Sequence, residues 1–295
     1  MKLQAAALCW LAEGRAAVVV EVGATRGSVP RESGTRMLVS EREVLGTIGG
    51  GHLELKAIVS ARAMLRGAAV AVEQHVPLGP ALGQCCGGAL TLRFTALAAS
   101  RPAEWQGPPP RFALQLYGAG HVGRAIVHLL EGVACRVQWI DEREDQFPLA
   151  PSASHIERVC VEPVEAEVDA AAPGTFFLVL THSHELDMAI TQAILQRADF
   201  AFLGLIGSRT KRARFMHRFQ ARGIAPASLA RLTCPIGIDG ITGKEPEVIA
   251  IAAVAQLLQQ SGQRPALANC AVAADSGERQ RGFDARPGQT LSERP

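Results

Sequence analysis

The sequence predicts an α/β protein in which a Rossmann-like, doubly wound parallel sheet is preceded by a smaller α/β domain. Three observations lead there. Between Ala113 and Asp141 a short apolar run meets Gly118-Ala119-Gly120-His121-Val122-Gly123, and apolar residues at Val122, Ala125, Ile126, Leu129 and Leu130 then follow helical spacing. From residue 112 onward, strand-length apolar runs alternate with helix-length periodic segments, which implies crossover connections and parallel strands covered on both faces. Ahead of them, residues 98–111 are rich in proline and small residues and match no periodic template, as a stiff linker would.

The elements follow in order. Residues 1–97 form the first unit: a helix over 3–13, the β-branched run Val18 to Val22, a polar loop from Gly23 to Arg31, and a hairpin-like pair at Thr35 to Val39 and Glu43 to Ile48. Gly49-Gly50-Gly51 opens a helix from His52 to Leu65, and strands are expected at Ala69–His75 and Ala89–Thr95. The Rossmann-like unit, 112–260, reads as strand 113–117, helix 122–131, strands 135–140 and 155–160, and a helix near 163–171. Strand 175–181, helix 185–197, strand 200–206 and helix 210–222 follow. A last helix, about 246–259, has Pro246 in its first turn beside Glu245 and Glu247. Residues 261–295 are polar and poor in large apolar side chains, and disorder is expected over 275–295.

Composition narrows the function. The chain has 295 residues, 48% hydrophobic and 20% charged, with a formal net charge of +2. That balance announces no polyanion-binding surface, so nucleic acid is not an expected partner. Seven cysteines in no repeating pattern, two of them adjacent, argue for reduced thiols and a cytoplasmic location. The N-terminal apolar stretch lacks a small-x-small cleavage site and reads as a packed helix. No apolar run approaches the roughly 18 residues of a membrane span.

Several loops carry chemistry. In the glycine turn, Gly118 permits the tight bend, Gly120 lets backbone approach a phosphate, and Gly123 lets helix pack on strand. Asp141 follows at the distance of about 20 residues where a ribose-binding carboxylate belongs, so the cleft suits NAD or another nucleotide; a scaffold holding something else, or nothing, shares the same pattern. Thr181-His182-Ser183-His184-Glu185 and Gly207-Ser208-Arg209 reach the same sheet edge. The first can ligate a metal through His182, His184 and Glu185, or Ser183 can simply cap a helix whose dipole Glu185 and Asp187 favour. The second opens a helix, so Ser208 and Arg209 can hold an anion, while Lys211, Arg212, Arg214 and Arg218 read as a solvated face.

In the N-terminal unit, Gly49-Gly50-Gly51-His52-Leu53-Glu54 is a second glycine loop at a helix start, either an anion seat or a turn needing positive φ. Arg31 and Arg36 are available for anionic groups or for surface salt bridges. Cys85-Cys86-Gly87-Gly88 does not suit a disulfide between neighbours. Flanking glycines leave a thiol accessible and let backbone N–H groups stabilise a thiolate that binds soft metals, although buried cysteines also serve as small hydrophobes. The other five cysteines read as ordinary core or surface residues.

Taken together, the segments 23–37, 45–54, 83–88, 117–123, 181–187, 203–212 and 234–237 resemble the XdhC/CoxI family, the xanthine dehydrogenase accessory proteins. The resemblance runs from about Glu21 to Leu258. It implies a chaperone more than an enzyme, one that binds the molybdenum cofactor (molybdopterin) while a cysteine desulfurase supplies the terminal sulfido ligand, and then inserts it into an apo xanthine dehydrogenase-type molybdoenzyme. It implies a homodimer and a role in purine catabolism. The family's glycine loop falls on Gly49, Gly50, Gly51, His52 and Glu54, its cysteine motif on Cys86, Gly87 and Gly88, and its Rossmann turn on Gly118, Gly120 and Gly123. Many members carry an acidic residue where this chain has Ser183. Of the paired cysteines, Cys86 is the expected thiol at the metal, because the glycines follow it directly. The rival reading is an NAD-dependent oxidoreductase using Gly118–Gly123 and Asp141, with His182 or His184 as proton donor; a protein-binding adaptor is a third.

Overall fold

The computed structural model describes residues 2–79, 87–105 and 107–263. In the N-terminal part, α1 (Lys2–Ala12) precedes β1 (Ala17–Arg26), β2 (Arg36–Ser40) and β3 (Val44–Gly46), and α2 (Gly51–Leu65) precedes β4 (Glu73–Pro77) and β5 (Ala89–Ala96). The strands form one antiparallel sheet in the order β3-β2-β1-β5-β4. β1 is central and covered on both sides, which is why its β-branched run is unbroken. Val18, Val20 and Val22 pack with Leu53, Ala57 and Ala61 of α2, whereas Ala17 and Val19 pack with Ala7 and Trp10 of α1.

β4 lies further along the chain than the apolar run 69–72 suggests. Its place is set by pairing with β5, where Glu73 stands opposite Arg93 and forms an ion pair at 2.8 Å. Edge strands tolerate such polar sequences, so hydrophobicity was the wrong guide there. The segment after β5 is fastened to this half: Gln4 Nε2 donates to the Pro102 carbonyl at 2.9 Å, and the Arg36 guanidinium lies 5.1 Å from the centre of the Trp105 ring.

The second half contains β6 (Ala113–Tyr117), α3 (His121–Leu130), β7 (Arg136–Asp141), β8 (Ile156–Cys160), α4 (Glu167–Ala170), β9 (Phe176–Val179), α5 (His184–Arg197), β10 (Phe202–Leu205), α6 (Arg209–Ala221), α7 (Pro226–Ala230), β11 (Leu232–Thr233) and α8 (Pro246–Gly262). All six strands are parallel, in the order β11-β10-β9-β6-β7-β8. This is the Rossmann order, and successive residues alternate between two cores. Leu114, Leu116, Trp139 and Leu178 meet Ile126 of α3 and Leu257 of α8; Tyr117, Ile140, Phe177 and Val179 meet Ile194 of α5 and Phe219 of α6. The short elements α7 and β11 had no signal of their own in the sequence. Among the described residues no helix is long and apolar enough to cross a membrane. The expected tail beyond residue 263, with Cys85 and Cys86, lies outside the described residues.

Candidate functional site

Two loop clusters gather most of the candidate residues. In the Rossmann half, the chain winds one way from β6 to β7 and the other way to β9, which opens a crevice at the carboxyl ends of β6 and β9. Gly118 sits at φ +119, and a Cβ there would overlap the Leu180 carbonyl. A Cβ on Gly123 would overlap the Gly118 carbonyl oxygen, which also accepts a hydrogen bond from Trp139 Nε1 at 3.0 Å. These two glycines are therefore demanded by close backbone packing. Gly120 differs: it has φ −70 and open space where a Cβ would be.

Asp141 ends β7 at the crevice, with a side chain only 3% exposed. Its Oδ2 accepts from the Ala119 N–H at 2.7 Å and from Arg143 Nη2 at 3.0 Å. Its Oδ1 accepts from the Arg143 backbone N–H at 3.0 Å and from Arg143 Nε at 2.9 Å. A carboxylate offers about four acceptor positions, and here each is taken. Burial pushes the carboxyl pKa upward, but the Arg143 guanidinium and the two backbone N–H groups outweigh it and hold Asp141 below its ordinary 3.8.

A folded-state pKa lowered in this way stabilises the fold above the ordinary value and ceases to do so as pH falls through the folded value. Asp141→Asn should therefore cost about 1–3 kcal/mol at neutral pH. The gap in thermal midpoint between wild type and variant should stay level down to pH 3.8 and narrow below it. A gap that does not change with acid, followed from neutral pH to pH 3, would remove the carboxylate from this role.

The loop after β9 is organised by Ser183, the N-cap of α5, whose hydroxyl oxygen accepts from the Glu185 and Leu186 N–H groups. His182 Nε2 lies 3.6 Å from Glu142 Oε1, and His184 is exposed. Among the described residues no three His, Cys, Asp or Glu side chains gather so as to hold a metal. Asp187 does not merely face the helix dipole, and Lys211 is not solvated. Lys211 Nζ meets Asp187 Oδ2 at 2.5 Å, with side chains 10% and 1% exposed, and it also donates to the Ile206 carbonyl. The partners are 24 positions apart, so sequence spacing could not pair them. Gly207 lies against the Lys211 stem, Ser208 caps α6, and Arg209 is exposed.

In the N-terminal half, three separated segments converge. A Cβ on Gly49, at φ +127, would lie 2.6 Å from Pro30 Cγ, and the Arg31 stem runs beside it. A Cβ on Gly88 would collide with the carbonyls of Arg26 and Ser28. The loop expected from Gly23 begins only after Arg26, because β1 runs on to pair Thr25 and Arg26 with β5. The end of β1 and the turn to Arg31 are thus pressed against both the 49–51 glycine loop and the end of the cysteine-glycine loop, where Gly87 is exposed.

Glu54 shapes that glycine loop from below, Oε2 accepting from the Thr47 hydroxyl at 2.5 Å and from the Ile48 and Gly50 N–H groups at 3.1 Å. Gly50, at φ +75, caps α2 without a side-chain bond, and Gly51 and His52 are exposed in its first turn. Arg36 stands directly opposite Glu21 across the β1–β2 pair and forms a half-buried ion pair with it at 2.7 Å. Thr47, Ser28 and Pro30 carried no signal of their own in the sequence, because their roles depend on which loops meet.

The chain is similar to known proteins. A family described as the XdhC Rossmann domain matches residues 114–257, and the XdhC and CoxI family matches residues 10–75. The uncharacterized protein YqeB of Escherichia coli (strain K12) is 30% identical over 260 residues, covering 82% of this chain. The chain spans 43% of that relative's length. A crystal structure described as a xanthine dehydrogenase from Bacillus halodurans has the same fold, with a TM-score of 0.65 at 20% identity, over 89% of this chain and 96% of that one.

Proposed function

The chain belongs to the XdhC and CoxI family, and on that footing we propose that it is a molybdenum cofactor chaperone for a xanthine dehydrogenase-type molybdoenzyme. In this reading the protein works as a homodimer, holds the cofactor while a cysteine desulfurase provides the terminal sulfido ligand, and passes it to the apo enzyme. The cofactor supplies a metal bound through a pterin dithiolene with a phosphate tail. A carrier for it needs an anion seat, a soft ligand and a close-fitting wall.

The observation that supports this reading best is the meeting of three loops around Gly49 and Gly88. The Pro30 ring at Gly49 and backbone carbonyls at Gly88 leave no room for a Cβ, and close approach of this kind is how glycine loops cradle a flat ligand with an anionic tail. The first turn of α2, with its N-terminal N–H groups at Gly51 and His52, and Arg31 beside Gly49 would take the anion. Glu54 would keep the loop in shape, and Cys86, directly before Gly87, would offer the thiolate.

The oxidoreductase reading has less support. Asp141 has no acceptor position left for a ribose diol, and the space bounded by Gly118, Asp141 and His182 admits no water-sized body. The whole chain, isolated from a host that makes the cofactor, should contain molybdenum and release pterin fluorescence on denaturation. Cys86→Ser should lower bound molybdenum by about tenfold or more, the loss that follows when about 1.4 kcal/mol of binding is removed. Unchanged metal in that variant, or NADH turnover by a protein free of molybdenum, would reverse the assignment.

A further inference from the structure

The geometry points to a phosphoryl-binding site in the groove between α5 and α6, with Arg214 and Arg218 as its charged ligands and Ser208, Thr210 and His184 on its walls. The groove, open to solvent, holds about 160 Å3. That is a fitting size for a tetrahedral anion and its hydration. Lys211 forms part of the lining, but its charge is already set against Asp187.

The two arginines lie one turn apart on α6, both exposed, and like charges at that spacing work against a helix. Among the described residues neither has a carboxylate within ion-pair distance. Arg218 touches Met188 Sδ at 3.7 Å, and Glu185, the one acid on the lining, pairs with neither. The start of α6 adds a second conflict: its first turn has no acidic residue, and Arg209 and Arg212 stand at the positive end of the helix dipole beside Lys211, whose own charge Asp187 takes up. Folding alone does not favour Arg209 and Arg212 at a helix N-terminus together with two guanidinium groups beside it that have no carboxylate within ion-pair distance. One bound dianion would offset both conflicts, and guanidinium forks match phosphoryl oxygens in pairs.

This site does not rest on the molybdenum reading, and it is tested without the cofactor. Inorganic phosphate titrated into the full chain at constant ionic strength should bind. The affinity should fall at least tenfold in Arg214→Gln/Arg218→Gln and several-fold in Arg214→Gln alone, whose side chain touches no other residue's hydrogen bonds. Arg66→Gln, on α2's C-terminal cap and paired with Glu41, should bind as wild type does. Circular dichroism would confirm that each variant folds. Comparable binding of glycerol 3-phosphate would identify an esterified phosphate as the occupant; binding of inorganic phosphate alone would identify the free ion. Absence of phosphate binding in the wild type, or equal affinity in wild type and both arginine variants, overturns the proposal.

Discussion

Gly123→Ala should prevent the Rossmann half from reaching its native packing, with a loss above 4 kcal/mol and little soluble protein. The Cβ would enter the space of the Gly118 carbonyl oxygen, which is backbone and is itself held by Trp139 Nε1. Leu180 Cδ1 would stand 3.3 Å from the same Cβ, so a second neighbour would have to give as well. The informative contrast is Gly120→Ala. Its φ of −70 suits alanine and its surroundings are open, so the fold should lose only the ~1 kcal/mol of a poorer helix cap. Any larger effect of Gly120→Ala would then appear in ligand binding alone. Limited proteolysis and thermal unfolding of the two variants separate these outcomes. A soluble Gly123→Ala protein melting within a few degrees of wild type would show that the turn is looser than its contacts indicate.

That contrast also shows why the Rossmann half was legible in the sequence. Glycine spacing reports backbone contact directly: Gly118 meets the Leu180 carbonyl, Gly123 meets Gly118, and the pattern survives without knowledge of any side chain. The alternation of strands and helices set the parallel sheet in the same local way. Asp141 was found by position, yet its bonding was not foreseen, because Arg143 two residues later looks like any surface arginine until β7 turns it back. The antiparallel half was harder. Its β4 is specified by cross-strand partners such as Glu73 and Arg93 on an exposed edge, where apolar periodicity has nothing to bury. The role of Lys211 is hidden from the sequence for a similar reason. It stands in a run of basic residues, and its partner lies on another helix.

Lys211→Met should cost about 3–5 kcal/mol, since it strands a buried carboxylate. Asp187 Oδ1 accepts from the Thr181 N–H at 2.9 Å and hydroxyl at 2.7 Å, while Oδ2 holds Lys211, whose ammonium also reaches the Ile206 carbonyl at 2.9 Å. One ion pair thus fastens the loop after β9 to the loop after β10, and those loops carry His184 and Ser208. Asp187→Asn keeps an oxygen for Thr181 but leaves the ammonium unpaired, so it should cost less than Lys211→Met. The double variant should recover part of the sum, with a coupling of about 0.5–3 kcal/mol, because the uncompensated charge disappears with its partner. Urea unfolding of the four proteins measures that coupling. Single losses under about 1 kcal/mol that simply add would place the pair among weak, solvated surface bridges.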